Sequence, residues 1–124
     1  MEWQNELKTA WSNREGPAIF ATVSKDNMPN IIYVLGIKLL DDCSFAIIDN
    51  YFLKTKANIE NGSKGAVLFL AKPRTAYQAK GTIEYFTSGP VYEDLRQTID
   101  PKHPRIGAAV LRITELYSGQ KKIF

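Results

Sequence analysis

"FAIIDNYFLKTKANIENGSKGAVLFLA", residues 45–71, joins two short apolar runs through a segment of different rhythm. Phe45 to Ile48 is an unbroken apolar run of the kind a buried strand carries, and Gly65 to Ala71 is another. Between them Phe52, Ala57 and Ile59 recur at spacings nearer a helical period, and the Asn61-Gly62 pair supplies a turn. The stretch therefore predicts strand, turn, helix, strand. Its two lysines are oddly placed. Lys54 and Lys56 fall in or near the first turn of that helix, where free backbone N–H groups and the macrodipole favour negative charge. Two readings account for them. Either both ammonium groups sit in water at a dipole penalty of about 0.3–1 kcal/mol, or an anion such as a phosphate is held there by the N–H groups, the Thr55 hydroxyl and Lys54.

Moving outward toward the N-terminus, "NIIYVLGIKLL" (30–40) reads as one long strand, paired with "PAIFATVS" (17–24) across the turn residues "KDNMP", so residues 17–40 form a hairpin. Asp41-Asp42 turn the chain into "CSFAIID". Trp3, Leu7, Ala10 and Trp11 fall at helical spacing and predict an amphipathic N-terminal helix closing over a core. In the other direction, "KPR" is a turn and "TAYQAKGTIEYF" (75–86) a long strand interrupted by Gly81, which marks a bulge or a barrel corner. "SGPVYEDLRQTIDP" is a helix with its signals in order. Ser88 or Gly89 caps it, Pro90 suits its first turn, Glu93 and Asp94 favour its start, and Val91, Leu95 and Ile99 repeat every four residues. "IGAAVLRITELY" is the last strand, and "SGQKKIF" is a tail too short for a further element. Six strands in short antiparallel connections with three flanking helices predict a mainly-β, α+β fold: one small β-barrel domain spanning 1–124.

Composition narrows the chemistry. With 124 residues, 44% hydrophobic and 23% charged, the chain is one globular domain with a substantial core. Cys43 and His103 are the single cysteine and the single histidine. An internal disulfide is therefore impossible, a cysteine-based metal site within one chain is implausible, one histidine cannot make a cluster, and the usual pairings of a nucleophile with a base are nearly excluded. His103 lies between prolines in "DPKHPR" and reads as a solvated loop residue. Any chemistry is expected from a cofactor. The N-terminal "MEWQNELKTAW" carries acidic residues and resembles neither a signal nor a transit peptide, and no apolar run approaches the roughly 18–20 residues that span a bilayer. The expected location is the cytoplasm. A net charge of +3 fits an anionic partner, yet the basic residues are scattered, with no run longer than Lys121-Lys122. A barrel binding single-stranded nucleic acid is thus a weak alternative.

The order of these pieces, with "KTKAN" (54–58) directly after the third strand, then "GAVLFLA", then "AKGTIEYFTSGP" (79–90), resembles the FMN-binding split-barrel family. Its members are related to pyridoxamine 5′-phosphate oxidase, and the likeness is strongest to the small dimeric FMN-binding proteins. It runs from about Pro17 to Glu115. The resemblance implies that Lys54 and Thr55 hold the FMN phosphate, and that Asn58 donates to the phosphate or ribityl chain unless it is an ordinary surface residue of the helix. It implies that backbone at Val34, Leu35 and Gly36 and at Ile48, Asp49 and Asn50 serves the isoalloxazine ring, with Phe52 and Leu53 in the same set. Gly36 is either a close-approach position or a bulge. Lys80 matches a basic position near the N1/C2 edge of the ring, against the alternative of a polar residue on an outer strand face. A homodimer is implied, each flavin lying in a groove between subunits, with the tail crossing so that Tyr117 or Phe124 approaches the partner's flavin. The expected function is an FMN-binding oxidoreductase or electron carrier supplied by a nicotinamide or a protein donor. The alternative is a module that binds FMN, a deazaflavin or another anionic ligand without turnover. Pyridoxamine 5′-phosphate oxidase is considerably longer and carries further Arg and His residues for a second phosphate, whereas the one histidine here lies in a loop between prolines, so that activity is not expected, and haem ligation is disfavoured by the scarcity of histidine.

Overall fold

Alternation along the strands decides which face of the sheet becomes the core. The computed structural model describes residues 2–124 and traces α1 (Glu2–Ser12), β1 (Arg14–Val23), β2 (Pro29–Val34), β3 (Ile37–Leu39), β4 (Phe45–Asp49), α2 (Lys54–Glu60), β5 (Gly65–Ala71), β6 (Thr75–Phe86), α3 (Pro90–Gln97), β7 (Gly107–Ser118) and β8 (Lys121–Lys122). In β5, Val67, Phe69 and Ala71 point inward while Leu68 and Leu70 face out, as the period of two requires. β4 is buried on both faces, which is why "FAII" has no alternation.

The strands form one antiparallel sheet in the order β2-β1-β5-β6-β7-β4-β3, with β8 added beside β7. The sheet curls around a core in which Trp11 of α1 meets both Phe45 and Phe69 edge-on at 4.9 Å. Leu7 and Ala10 seat α1 on the same core. A second cluster lies on the other face of β4 and β7, where Tyr92 and Leu95 of α3 cover Ala46, Ile48, Ala108 and Val110. The architecture is an antiparallel split barrel with three helices. Among the described residues no helix is long and apolar enough to cross a membrane, and no group of three or more His, Cys, Asp or Glu is gathered to hold a metal ion.

Gly81 is a bulge. The β6–β7 register shifts between Lys80 and Gly81, and a methyl group at 81 would collide with the Arg112 carbonyl oxygen.

Two segments depart from the expected six strands. "NIIYVLGIKLL" is not one strand but two, β2 and β3, which are consecutive in the chain yet occupy opposite ends of the sheet. The break falls at Leu35-Gly36, where the Gly36 carbonyl accepts from Ile48 N–H at 2.8 Å and a side chain at 36 would overlap Ile48 and come within 2.8 Å of Ile99 Cδ1. Apolar content alone could not reveal a change of direction between two equally apolar halves. β1 also begins at Arg14 rather than Pro17.

The tail is the second departure. It reverses at Gly119 (φ +57°), forms β8, and closes with Leu116 N–H donating to the Phe124 carbonyl at 2.9 Å. Phe124 stacks on Trp3 with ring centroids 4.3 Å apart and planes inclined by 10°. The final apolar pair thus packs within the chain, Ile123 against the core and Phe124 on Trp3. Phe124→Ala should lower stability by about 0.5–1.5 kcal/mol, the usual worth of an aromatic pair, measured as a shift in the urea midpoint. An unshifted midpoint would mean that the tail does not hold α1 down.

Candidate functional site

A groove of about 540 Å³ opens where the end of β2 meets the end of β4. Buried Val34 and Ile48, with half-buried Ile32 and Phe52, give it an apolar lining. Tyr33, Leu35 and Tyr51 stand at its edge, each more than 70% exposed. Ile99, Thr98, Asp100 and His103 form the wall that follows α3. Because β2 is an end strand, its outer edge leaves backbone N–H and C=O groups free beside this groove.

The turn after β4 shapes one side. Asp49 is only 2% exposed, and both carboxylate oxygens are engaged: Oδ1 accepts Phe52 N–H at 2.9 Å and Oδ2 accepts the Tyr85 hydroxyl at 2.5 Å. Burial first, and then the bond to Asp49, push the Tyr85 hydroxyl well above its ordinary pKa, so it remains a proton donor. The wall after α3 is tied to the same turn. Arg105 N–H donates to Asn50 Oδ1 at 3.0 Å, Ile106 N–H donates to the Asp49 carbonyl at 2.7 Å, and Tyr92 donates to the Arg105 carbonyl at 2.5 Å.

Val34, Leu35, Gly36, Ile48, Asn50 and Phe52 are thus brought together around one groove. Asp49 is not among its lining. Its side chain points into the sheet and holds the turn that presents its neighbours. Leu53 is 82% exposed beside Lys54. Gly36 does permit a close approach, but the approaching groups are Ile48 and Ile99 of the same chain.

The lysines that raised the first question have separate surroundings. Lys54 opens α2 and is exposed, with no ion pair or aromatic partner among the described residues. Lys56 instead places its ammonium 4.4 Å over the Tyr85 ring, a cation–π contact. Thr55 is buried, and its hydroxyl oxygen accepts from Asn30 Nδ2 at 3.2 Å. Asn58, far from being a surface residue, is 5% exposed and donates from Nδ2 to the Thr22 hydroxyl at 2.9 Å. Its amide N–H is engaged inside the protein.

Lys80, Tyr117 and Phe124 do not reach this groove within one chain. Lys80 sits on the outer face of β6 with its ammonium 5.2 Å over Tyr117, whose hydroxyl donates to Glu115 at 2.6 Å. His103 is the main residue that sequence reasoning set aside. Its ring lines the groove, with Nδ1 3.4 Å from the Tyr51 hydroxyl. Flanking prolines correctly mark a loop, but nothing local shows that the loop packs against residues 50–51.

The groove, the curled sheet and the three helices together define a split barrel with a ligand-sized opening between its sheet ends. The chain belongs to the pyridoxamine 5′-phosphate oxidase family, whose model matches residues 5–121. It is 35% identical over 103 residues to an uncharacterized protein of Methanocaldococcus jannaschii, an alignment covering 79% of this chain and 69% of the relative. Among solved structures it is similar to HupZ of Group A Streptococcus, with 27% identity, a TM-score of 0.79, and 95% and 94% of the two chains covered. An FMN-binding protein from Syntrophomonas wolfei shares the fold at a TM-score of 0.80 and 16% identity, over 94% of this chain and 85% of the other.

Asn58→Ala strands the buried Thr22 hydroxyl and should cost about 1–3 kcal/mol of stability in chemical denaturation. A loss below the error of that measurement would show that the pair is replaced by solvent.

Proposed function

We propose that this chain is a flavoprotein that binds FMN in the groove between the sheet ends and acts as an oxidoreductase or electron carrier. The observation that carries the reading is an apolar groove edged by aromatic side chains, with Lys54, a cation that has no ion pair or aromatic partner among the described residues, two residues beyond groove-lining Phe52. A flat ring system with a phosphate at one end matches that donor set. Lys54 takes the phosphate in this reading together with the Thr55 hydroxyl, whose oxygen is buried and already accepts from Asn30 Nδ2. Because α2 has only seven residues, its dipole contributes little and the side chains carry most of the interaction. The Gly36 carbonyl is taken by Ile48 N–H and the Leu35 carbonyl by Ile37 N–H, so the remaining backbone groups of Val34 to Gly36 and the turn from Ile48 to Asn50 serve the polar edge of the ring in this reading. Bound flavin supplies hydride or single-electron transfer, which accounts for a site with one histidine and no nucleophile–base pair. The protein's share is to bind, orient and exclude water.

A homodimer completes the site in this reading. Cross-strand register places Tyr33, Ile19, Leu68, Gln78 and Tyr117 in one row across the outer face, and Ile31, Ala21, Ala66 and Lys80 in the next. Ile31 is 68% and Tyr33 74% exposed, and so broad an apolar face favours a partner. Lys80 and Tyr117 lie on that face and reach the partner's groove, whereas Phe124 stays against Trp3.

An absorbance spectrum of purified protein, before and after incubation with FMN, is the deciding experiment. Flavin bands are expected, and protein that stays colourless overturns the reading. His103 favours one second reading, a haem iron ligated from the groove wall, which a Soret band would identify. Turnover with a nicotinamide donor separates an enzyme from a binding module.

Lys54→Ala should weaken FMN by about 1.5–3 kcal/mol and leave riboflavin, which lacks the phosphate, nearly unaffected in a fluorescence titration. Equal weakening of both ligands contradicts the phosphate assignment. Tyr33→Glu places a charge in the outer-face row and should shift the protein to monomer in sedimentation velocity, with loss of bound flavin. A monomer that keeps full affinity excludes a shared site.

A further inference from the structure

We propose that Tyr85 is a positioning residue for the groove: its hydroxyl, reaching across β7 to the buried Asp49 carboxylate, sets the turn that presents Asn50, Tyr51 and Phe52. The statement rests on the groove being the ligand site, but Tyr85 does not line it.

The geometry is specific. Tyr85 of β6 pairs with Ala109 of β7, and Asp49 of β4 pairs with Gly107 of the same strand. The Tyr85 side chain therefore spans β7 to reach β4. Gly107 leaves the room for it, since a methyl group there would sit 2.5 Å from the Tyr85 hydroxyl and 2.7 Å from Cζ. Lys56 closes the other side, with its ammonium 4.4 Å over the ring. Asp49 consequently has two donors, Tyr85 at 2.5 Å and Phe52 N–H at 2.9 Å. The first fixes where the carboxylate stands, and the second transfers that position to the backbone of residue 52.

This arrangement also explains why a carboxylate is buried beside a ligand groove without lining it. A buried Asp costs stability unless its oxygens are satisfied. Here both are, by one group from the strand framework and one from the turn. Tyr85 carries no signal of this role in the sequence, because its partner Asp49 lies 36 residues away.

The test uses Tyr85→Phe, which keeps the ring under Lys56 and removes only the hydroxyl. Tyr77→Phe is the control. It removes another tyrosine–carboxylate bond, to Glu6 at 3.0 Å, on the side of the fold away from the groove. In ligand-free protein, Tyr85→Phe should raise hydrogen exchange at the Phe52 amide about tenfold relative to the Ile47 amide in β4, as expected for one lost bond to a charged acceptor. It should also weaken FMN and riboflavin alike, by about threefold to tenfold, because it moves the groove wall and not the phosphate contact. Tyr77→Phe should change neither ratio. The proposal is overturned if Phe52 and Ile47 accelerate together, if Phe52 does not accelerate, or if flavin affinity is untouched while Phe52 loosens. Should the unaltered protein bind neither flavin, the functional reading is lost, and the positioning role is still decided by the exchange ratio.

Discussion

The antiparallel pairing of β6 with β7, interrupted once at Lys80/Gly81, is the constraint on which the rest of the molecule depends. These are the two longest strands, and every other strand reaches the sheet through one of them. β5, β1 and β2 extend from β6, while β4, β3 and β8 attach to β7. A flat sheet of this width would leave both ends open. The bulge adds twist where the two halves join and lets the sheet curl around one core. Only glycine fits there, because the Arg112 carbonyl occupies the space a side chain would need. The groove is a product of that curl, lying where the chain passes from β2 at one sheet end to β3 at the other.

Buried polar groups then set the details that apolar packing leaves open. Hydrophobic burial is non-directional, so it does not by itself choose one backbone path for the β4–α2 turn. Asp49 does. Asn58 on Thr22 anchors the middle of α2 to β1, and Asn30 reaches Thr55 from β2. α2 is thus held by polar contacts on two neighbouring strands although it has only seven residues and no side-chain cap. An isolated helix of this length would not persist in water. Placing Lys54 at its exposed start is tolerable because the helix does not rely on its own dipole for stability.

The fold was largely legible because its signals are local. The capping and spacing of "SGPVYEDLRQ", the helical rhythm of "KTKANIE" and the unbroken apolar run "GAVLFLA" each lie within a dozen residues and match α3, α2 and β5. Gly81 was readable as a bulge or a barrel corner for the same reason, and it is the bulge. The failures are long-range. No local pattern in "NIIYVLGIKLL" tells that Gly36 abuts Ile48 and Ile99, so the chain turns there unannounced. The tail reads as too short for a further element because β8 depends on its pairing with Tyr117 and Ser118 and is followed by Phe124 stacked on Trp3 at the opposite terminus. For the site, the resemblance placed residues 34–36, 48–50, 52 and 53 in one neighbourhood, but burial separates lining Asn50 and Phe52 from structural Asp49 and Asn58.

Tyr33 belongs to two surfaces at once. It stands at the edge of the groove, and it heads the outer-face row that runs through Ile19, Leu68 and Gln78 to Tyr117. A molecule that covers Tyr33 on that face also touches the groove, and one that packs against Tyr33 from the groove meets the edge of the face. Two binding events that share a side chain cannot be energetically independent. A ligand that orders Tyr33 spares a partner part of that cost, and a partner that orders Tyr33 does the same for the ligand. The coupling follows from β2 being an end strand: an interior strand would have its backbone paired on both edges, leaving no free edge beside the opening from which one residue serves both surfaces.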